Sequence, residues 1–453
     1  MKKLTKKWQL FVYATAGMGV NMLNLMMNSY LCSALLKGGF TGDALKYQTY
    51  IGDDLVIAGV WAVFAFVAKL IDGFIDIPMA SFTDRLRTRW GRRRPSLMIG
   101  FIPLVIFYAL FLIIPHREGI SMLNTVFYGI ILCGYYTCYT LTMVTYYATF
   151  TEIVSTEAER GVISYVKSFC DIVYYILGYV VVRGMLNSHN VRVVALFVLP
   201  LALTMIIPMF MIKEPSNLKG DMEEEIAPKL IPSLVYTFKN KTFILWMIVY
   251  AFMTFGVQLF LGGINEYFAT TGMNMMFVMM ASFAPVPFTL LIFNALMKKK
   301  GFVFAFRYTL IMYSIGMLMM FGISFLRDIA PKNVYTVCAI VTGLVNSLSI
   351  GSMFSVAYSI PAQIAADEEK ETGKSHSAMF FAVQGLLAGV ASGLATGPTL
   401  VALKEGSKNV AEGRTPIWYM TVICAIATLL SLALTVFLPK SLRELGKQEK
   451  KEK

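Results

Sequence analysis

The sequence predicts an all-α membrane protein of twelve transmembrane helices in two six-helix bundles, with both termini cytoplasmic. Three observations predict it. Of 453 residues, 57% are hydrophobic and only 15% charged, too little charge to coat soluble domains of that length. The apolar residues form continuous blocks of about 20 residues or more, the length that crosses a hydrocarbon core of roughly 30 Å. They lack the alternation of an outer-membrane barrel. Finally, 28 of the 40 lysines and arginines fall in alternate connections that include both ends of the chain, and 10 in the others. That asymmetry orients the spans.

The elements follow in order. Four lysines (Lys2, Lys3, Lys6, Lys7) precede a block starting near Trp8. No small-residue cleavage site follows it, so a retained span is expected, not a signal peptide. The second block runs from about Leu55 to Phe82 and is followed by the densest basic loop, 85–94. Blocks near Ser96, Met122, Val162 and Arg192 complete a first bundle, 1–212. Residues 213–241 are polar, charged and proline-containing, the signature of a linker. Blocks near Thr242, Met273, Phe302, Val334, His376 and Pro416 make a second bundle, 242–439, and 440–453 form a basic cytoplasmic tail. "TEIVSTEAERGVIS" (151–164) and "AQIAADEEKETGKSHS" (362–377) echo each other, as parallel repeats would.

Several function classes are excluded. The net charge of +13 is explained by membrane orientation and implies no nucleic acid. Six scattered cysteines without a C-x-x-C, and three histidines near span ends, imply neither zinc nor a catalytic triad. "TGKS" (372–375) lacks the glycine that a phosphate-cradling loop needs, because Glu368 stands there. No nucleophile–base constellation points to an enzyme.

The second block poses the chemical question. "AKLIDGFIDIP" (68–78) carries Lys69, Asp72 and Asp76 at separations of three, four and seven, on one helical face. Each charge at mid-membrane costs roughly 2.5–3.5 kcal/mol if it meets lipid, so that face must meet protein or water. Two readings stand: an ion triad locking helices together, or a cation site. In the second, neighbouring carboxylates hold a proton or Na⁺, and Lys69 replaces that cation when the site empties.

A pocket is also suggested. In "CGYYTCYTLTMVTYYATF" (133–150), Tyr136, Tyr139, Met143 and Tyr147 share a face below the interfacial belt. They are suited either to stacking on a sugar or to helix packing. Lys167 and Asp171, four apart in block 5, are either a structural pair or substrate contacts. In block 11, Gly385, Gly389, Gly393 and Gly397 form a stripe for close packing, with Gln384 beside it as a candidate substrate contact. Asn265 and Glu266 close block 7 and suggest an outer gate.

The run "DGFIDIPMASFTDRLRTRWGRRRPSL" (72–97) resembles the signature of the glycoside–pentoside–hexuronide:cation symporter family of the major facilitator superfamily. Supporting pieces are "GMGVN" (17–21), the segment through Arg160, and "AADEEKETGK" (365–374). The resemblance implies a major facilitator fold with Asp72, Asp76 and Thr140 as coupling-cation ligands. It implies gating by the loop that holds Asp84, Arg85, Arg92 and Arg93, together with Arg160 and Asp171. The family's sugar-facing aspartates correspond to Asn21 and Met143, its helix-11 lysine to Gly389, and the polar residue before its second aspartate to Ile75. The expected function is Na⁺- or H⁺-coupled symport of a sugar, glycoside or uronide by alternating access, in a monomer of the cell membrane without cofactors. The expected substrate contacts are Asn21, Lys69, Tyr139, Met143, Tyr147, Lys167 and Gln384. Two lysines in a cavity short of carboxylates favour an anionic solute. The rivals are a lysolipid or other amphiphile carrier, suggested by "GMNMMFVMMASF" (272–283), and a transport-inactive membrane sensor.

Overall fold

A computed structural model describes residues 6–154, 157–216, 240–372, 377–408, 415–439 and 442–443. Among them ten helices are long and apolar enough to cross a membrane, or eleven if one bent pair counts as a single span. The expected fifth block is also helical, and its Lys167 and Asp171 set it apart from the more apolar spans. The chain divides into two compact units, Met1–Glu225 and Ile226–Lys453. Most of the expected linker, the centre of "TGKS" and nearly all of the tail lie outside the described residues.

In the first unit we number the membrane helices α1 (Trp8–Leu35), α2 (Ala58–Arg85), α3 (Arg93–Phe111), α4 (Met122–Glu152), α5 (Glu157–Ile176) and α6 (Val191–Met211). Starts are set by polar caps that satisfy orphan amides. Ser121 Oγ accepts from Leu123 N at 3.1 Å, and Asn190 Oδ1 accepts from Arg192 N at 3.1 Å. The helix α4 packs along both α2 and α3, which puts its polar face beside the acidic face of α2. Approach is closest in α1. A Cβ on Gly19 would collide with the Leu201 carbonyl of α6, and one on Gly17 would lie 2.6 Å from the Tyr146 ring of α4. The "GMGVN" segment is therefore glycine-rich because backbones and rings pack directly on it.

In the second unit they are α7 (Lys241–Gly262), α8 (Met275–Phe283 and Val286–Lys300), α9 (Phe302–Ser324), α10 (Lys332–Thr372), α11 (beginning Ser377–Leu394) and α12 (Pro416–Phe437). The two pieces of α8 meet at 41°. The sequence reads as one straight block there, but Pro285 and Pro287 sit at the junction. Proline lacks the amide that would continue the helical hydrogen bonds and clashes with the preceding turn. A short helix, Ile264–Thr271, follows α7 and ends at Gly272, whose φ of +69° makes the left-handed cap.

Three membrane helices contain a wide, π-type turn. It falls at Met27–Leu31 in α1, at Leu177–Val182 where α5 continues toward Met185, and at Ala395–Thr399 where α11 continues as Leu400–Gly406.

Candidate functional site

The charged face of α2 meets the polar face of α4. Lys69 and Asp72 are three apart on α2, and Tyr136 and Thr140 are four apart on α4, so the two pairs lie level with one another. Thr140 Oγ1 donates to Asp72 Oδ1 at 3.0 Å, while Asp72 Oδ2 faces Lys69 Nζ at 3.8 Å. The same ammonium sits 4.1 Å from the centroid of the Tyr136 ring, where the ring's negative face attracts it. Each oxygen of the Asp72 carboxylate thus has its own partner. The ammonium stands between a carboxylate and an aromatic face.

From Tyr136 the contacts continue into α1. Its hydroxyl donates to Asn28 Oδ1, and Asn28 Nδ2 donates to Asn24 Oδ1 at 3.0 Å. A second chain runs beside it. Tyr139 OH donates to Asn21 Oδ1 at 3.1 Å, and Asn21 Nδ2 donates to Tyr147 OH at 3.4 Å. Lys167 of α5 lies 5.4 Å from the centroid of Tyr147, and its Nζ pairs with Asp171 Oδ2 at 2.6 Å. Tyr135 stacks on Tyr139 with an interplanar angle of 13°. Amides, phenols, an ammonium and a carboxylate therefore share one region built by α1, α2, α4 and α5.

The expected site residues divide accordingly. The structure brings together Asn21, Lys69, Asp72, Tyr139, Thr140, Tyr147, Lys167 and Asp171. Met143 is buried and Tyr136 is buried with its hydroxyl committed to Asn28, so only Tyr139 and Tyr147 of that tyrosine face are half-exposed. Gln384 belongs to the other unit, where its Oε1 accepts from Trp246 Nε1 at 3.1 Å. The side chains of Asp76, Asp84, Arg85 and Arg160 lie outside the described ones. Asn24 and Asn28 escaped the sequence reading, although their three- and four-residue spacing from Asn21 marks one face of α1.

The basic loop has an anchor that the sequence reading also missed. Arg93 N, at the start of α3, donates to Glu214 Oε2 at 2.7 Å just past α6, where a helix N-terminus favours an anion. Gly91 adopts φ +82° and lies so near Glu214 that a Cβ there would collide with it. Thr88 Oγ1 closes the turn by donating to Gly91 O at 2.7 Å. The Arg94 guanidinium lies 5.5 Å from the centroid of the exposed Trp90 ring.

In the second unit Lys404, near the end of α11, pairs with Glu266 of the short helix after α7, and both are buried. Counting lysines along the sequence assigns Lys404 to an outer loop; the fold turns it inward. Glu266, expected at a gate, is instead held within its own unit.

Comparison with known proteins agrees with this architecture. Residues 12–441 match the MFS/sugar transport protein family. A stretch of 112 residues is 31% identical to an uncharacterized symporter, sll1374, of Synechocystis sp.. The match takes in 23% of this chain, and the chain spans about a fifth (21%) of that relative's length. Among solved structures, the nucleoside transporter NupG superposes with a TM-score of 0.64 at 12% identity, over 95% of this chain and 98% of that one. A D-xylose-proton symporter gives 0.61 at 13% identity, over 97% and 99%. The xylose transporter XylE from E. coli gives 0.58 at 14%, over 94% and 96%. At such identities these likenesses concern the fold. With the helices long enough to cross a bilayer and a family match over nearly its full length, the chain is a multi-pass protein of the cell membrane and belongs to the MFS/sugar transport protein family.

Proposed function

We propose that the protein is a secondary active transporter that carries a sugar, glycoside or uronide together with Na⁺ or H⁺ by alternating access. One observation carries this reading. A carboxylate deep in a membrane helix, Asp72, has one oxygen on a hydroxyl and the other 3.8 Å from an ammonium that has an aromatic face as its second resting place. An arriving cation takes its place at Asp72 with Thr140, and with Asp76 one helical turn on. Lys69 then leans on the Tyr136 ring. When the cation leaves, Lys69 neutralises Asp72, so the site stays near neutral at every stage. Charges at this depth cannot face lipid without a cost of several kcal/mol, so their accessible part faces an aqueous path.

The second chain of contacts supplies the solute site. Asn21, Tyr139 and Tyr147 offer hydroxyl and amide groups beside aromatic faces, the combination that orients a polyhydroxylated ring. Lys167 gives the same surface a cation for a uronide carboxylate, with Asp171 as its partner when no solute is bound. The Arg92–Arg93 segment and Glu214, with Asp84, Arg85 and Arg160, form the cytoplasmic gate.

Counterflow in proteoliposomes tests the reading, using a panel of glycosides, uronides and lysolipids while Na⁺, Li⁺ and pH are varied in turn. We expect exchange of a glycoside or uronide that depends on one of the cations. Movement of lysolipids alone, with no cation dependence, would overturn it.

A further inference from the structure

In the second unit α7, α8, α9 and α10 enclose a largely apolar cavity with about 510 Å³ free of protein atoms, its mouth included. Phe260, Met279, Phe283, Met317 and Met353 make much of its wall. It lies beside the bend of α8, because Met279, Ser282 and Phe283 occupy the last turns before the break.

Its polar groups are few, and their hydrogens can be followed. Ser282 Oγ donates to Val278 O at 2.8 Å, and Tyr313 OH donates to Gly256 O at 3.3 Å. Asn346 is buried and its Nδ2 contacts Met320 Sδ at 3.6 Å. Its Oδ1 accepts no hydrogen bond from any described residue. Gly316 of α9 makes room for that oxygen, since a Cβ there would collide with it. Buried amide oxygens are ordinarily paired, so the cavity presents an acceptor that lacks its donor within an apolar wall.

We propose that this cavity binds an aliphatic alcohol, its alkyl chain against the methionine and phenylalanine wall and its hydroxyl donating to Asn346 Oδ1. Apolar cavities of only about 150 Å³ take up small apolar molecules. Methionine walls adapt to chains of different length. The occupant braces α8 at its bend. The site stands apart from the Asp72 region, which belongs to the other unit, and does not depend on how that region functions.

The test uses the full chain in detergent and the photoreactive alkanol 3-azioctanol, with octanol or octane as competitor at matched micellar concentrations. Adducts mapped by mass spectrometry should concentrate on Met279, Phe283, Met317 and Met353. Octanol should compete roughly tenfold better than octane, the effect of one hydrogen bond. Asn346→Leu keeps the bulk but removes the acceptor, so it should erase that preference while labelling persists. Met353→Trp fills the space and should abolish labelling. Adducts scattered over the outer helix faces, or octane competing as well as octanol against the unmodified chain, would overturn the assignment. So would an octanol preference that survives Asn346→Leu, which would assign the oxygen to water.

Discussion

Two lysine–carboxylate pairs lie within membrane helices, and they differ in one respect that decides what each can do. Lys404 and Glu266 expose 2% and 0% of their side chains, whereas Lys69 and Asp72 expose 10% and 29%. Lys167 and Asp171 are more open still, at 32% and 30%. A sealed pair has no route by which a cation or solute can reach it, and breaking it leaves a bare charge in a medium of low polarity. An accessible pair can exchange partners at small cost. The second unit therefore uses its charges to hold α11 against the end of α7, while the first unit keeps its charges where they can be visited.

That contrast can be broken by substitution. The largest effect on folding is expected at the sealed pair. Lys404→Met should lower stability by roughly 3–5 kcal/mol, read as a fall in thermal midpoint in detergent. The double variant Glu266→Leu/Lys404→Met should recover most of it. A single variant that melts normally would place the pair among the exchangeable ones. Asp72→Asn should do the opposite, abolishing cation-driven accumulation in proteoliposomes while shifting stability by less than about 1 kcal/mol. Uphill transport at the normal rate by that variant would remove Asp72 from the coupling role. Gly91→Ala should cost about 1–2 kcal/mol from its left-handed backbone. It should slow turnover more than it weakens solute binding, because it displaces Glu214. The smallest change is expected from Tyr139→Phe, which removes one hydrogen bond to Asn21, worth about 1 kcal/mol. It should weaken apparent solute affinity several-fold with the thermal midpoint unchanged; an unaltered affinity would make the Asn21–Tyr139 contact purely structural.

The spans were legible because their signal is local. Blocks expected to begin near Trp8, Met122, Phe302 and Pro416 begin as helical spans at those residues. Lys69 and Asp72 were legible as one face for the same reason, since helical spacing alone decides it. Thr140 came from the family resemblance, and its hydrogen bond to Asp72 could not be derived from spacing. The pairings that remained hidden are the long-range ones. Asn28 and Tyr136 are 108 residues apart, and Glu266 and Lys404 are 138 apart. Nothing local tells a lysine that follows an apolar block whether it will meet water or turn back into the bundle. The bend of α8 was different: its prolines were in view, but mean hydropathy across "SFAPVPFTL" outweighed them.

The wide turn at Ala395–Thr399 fixes the angular phase of everything after it. A π-type turn takes in one residue more than an α turn, so removing a single residue there would let α11 relax to uniform α periodicity. Side chains downstream would then rotate by roughly 100° about the helix axis. The Lys404 ammonium would swing away from Glu266. A one-residue deletion in this stretch should therefore unfold the second unit as effectively as deleting the lysine's charge, and alignments that pass through it without a gap will assign the wrong face to the last turns of the helix.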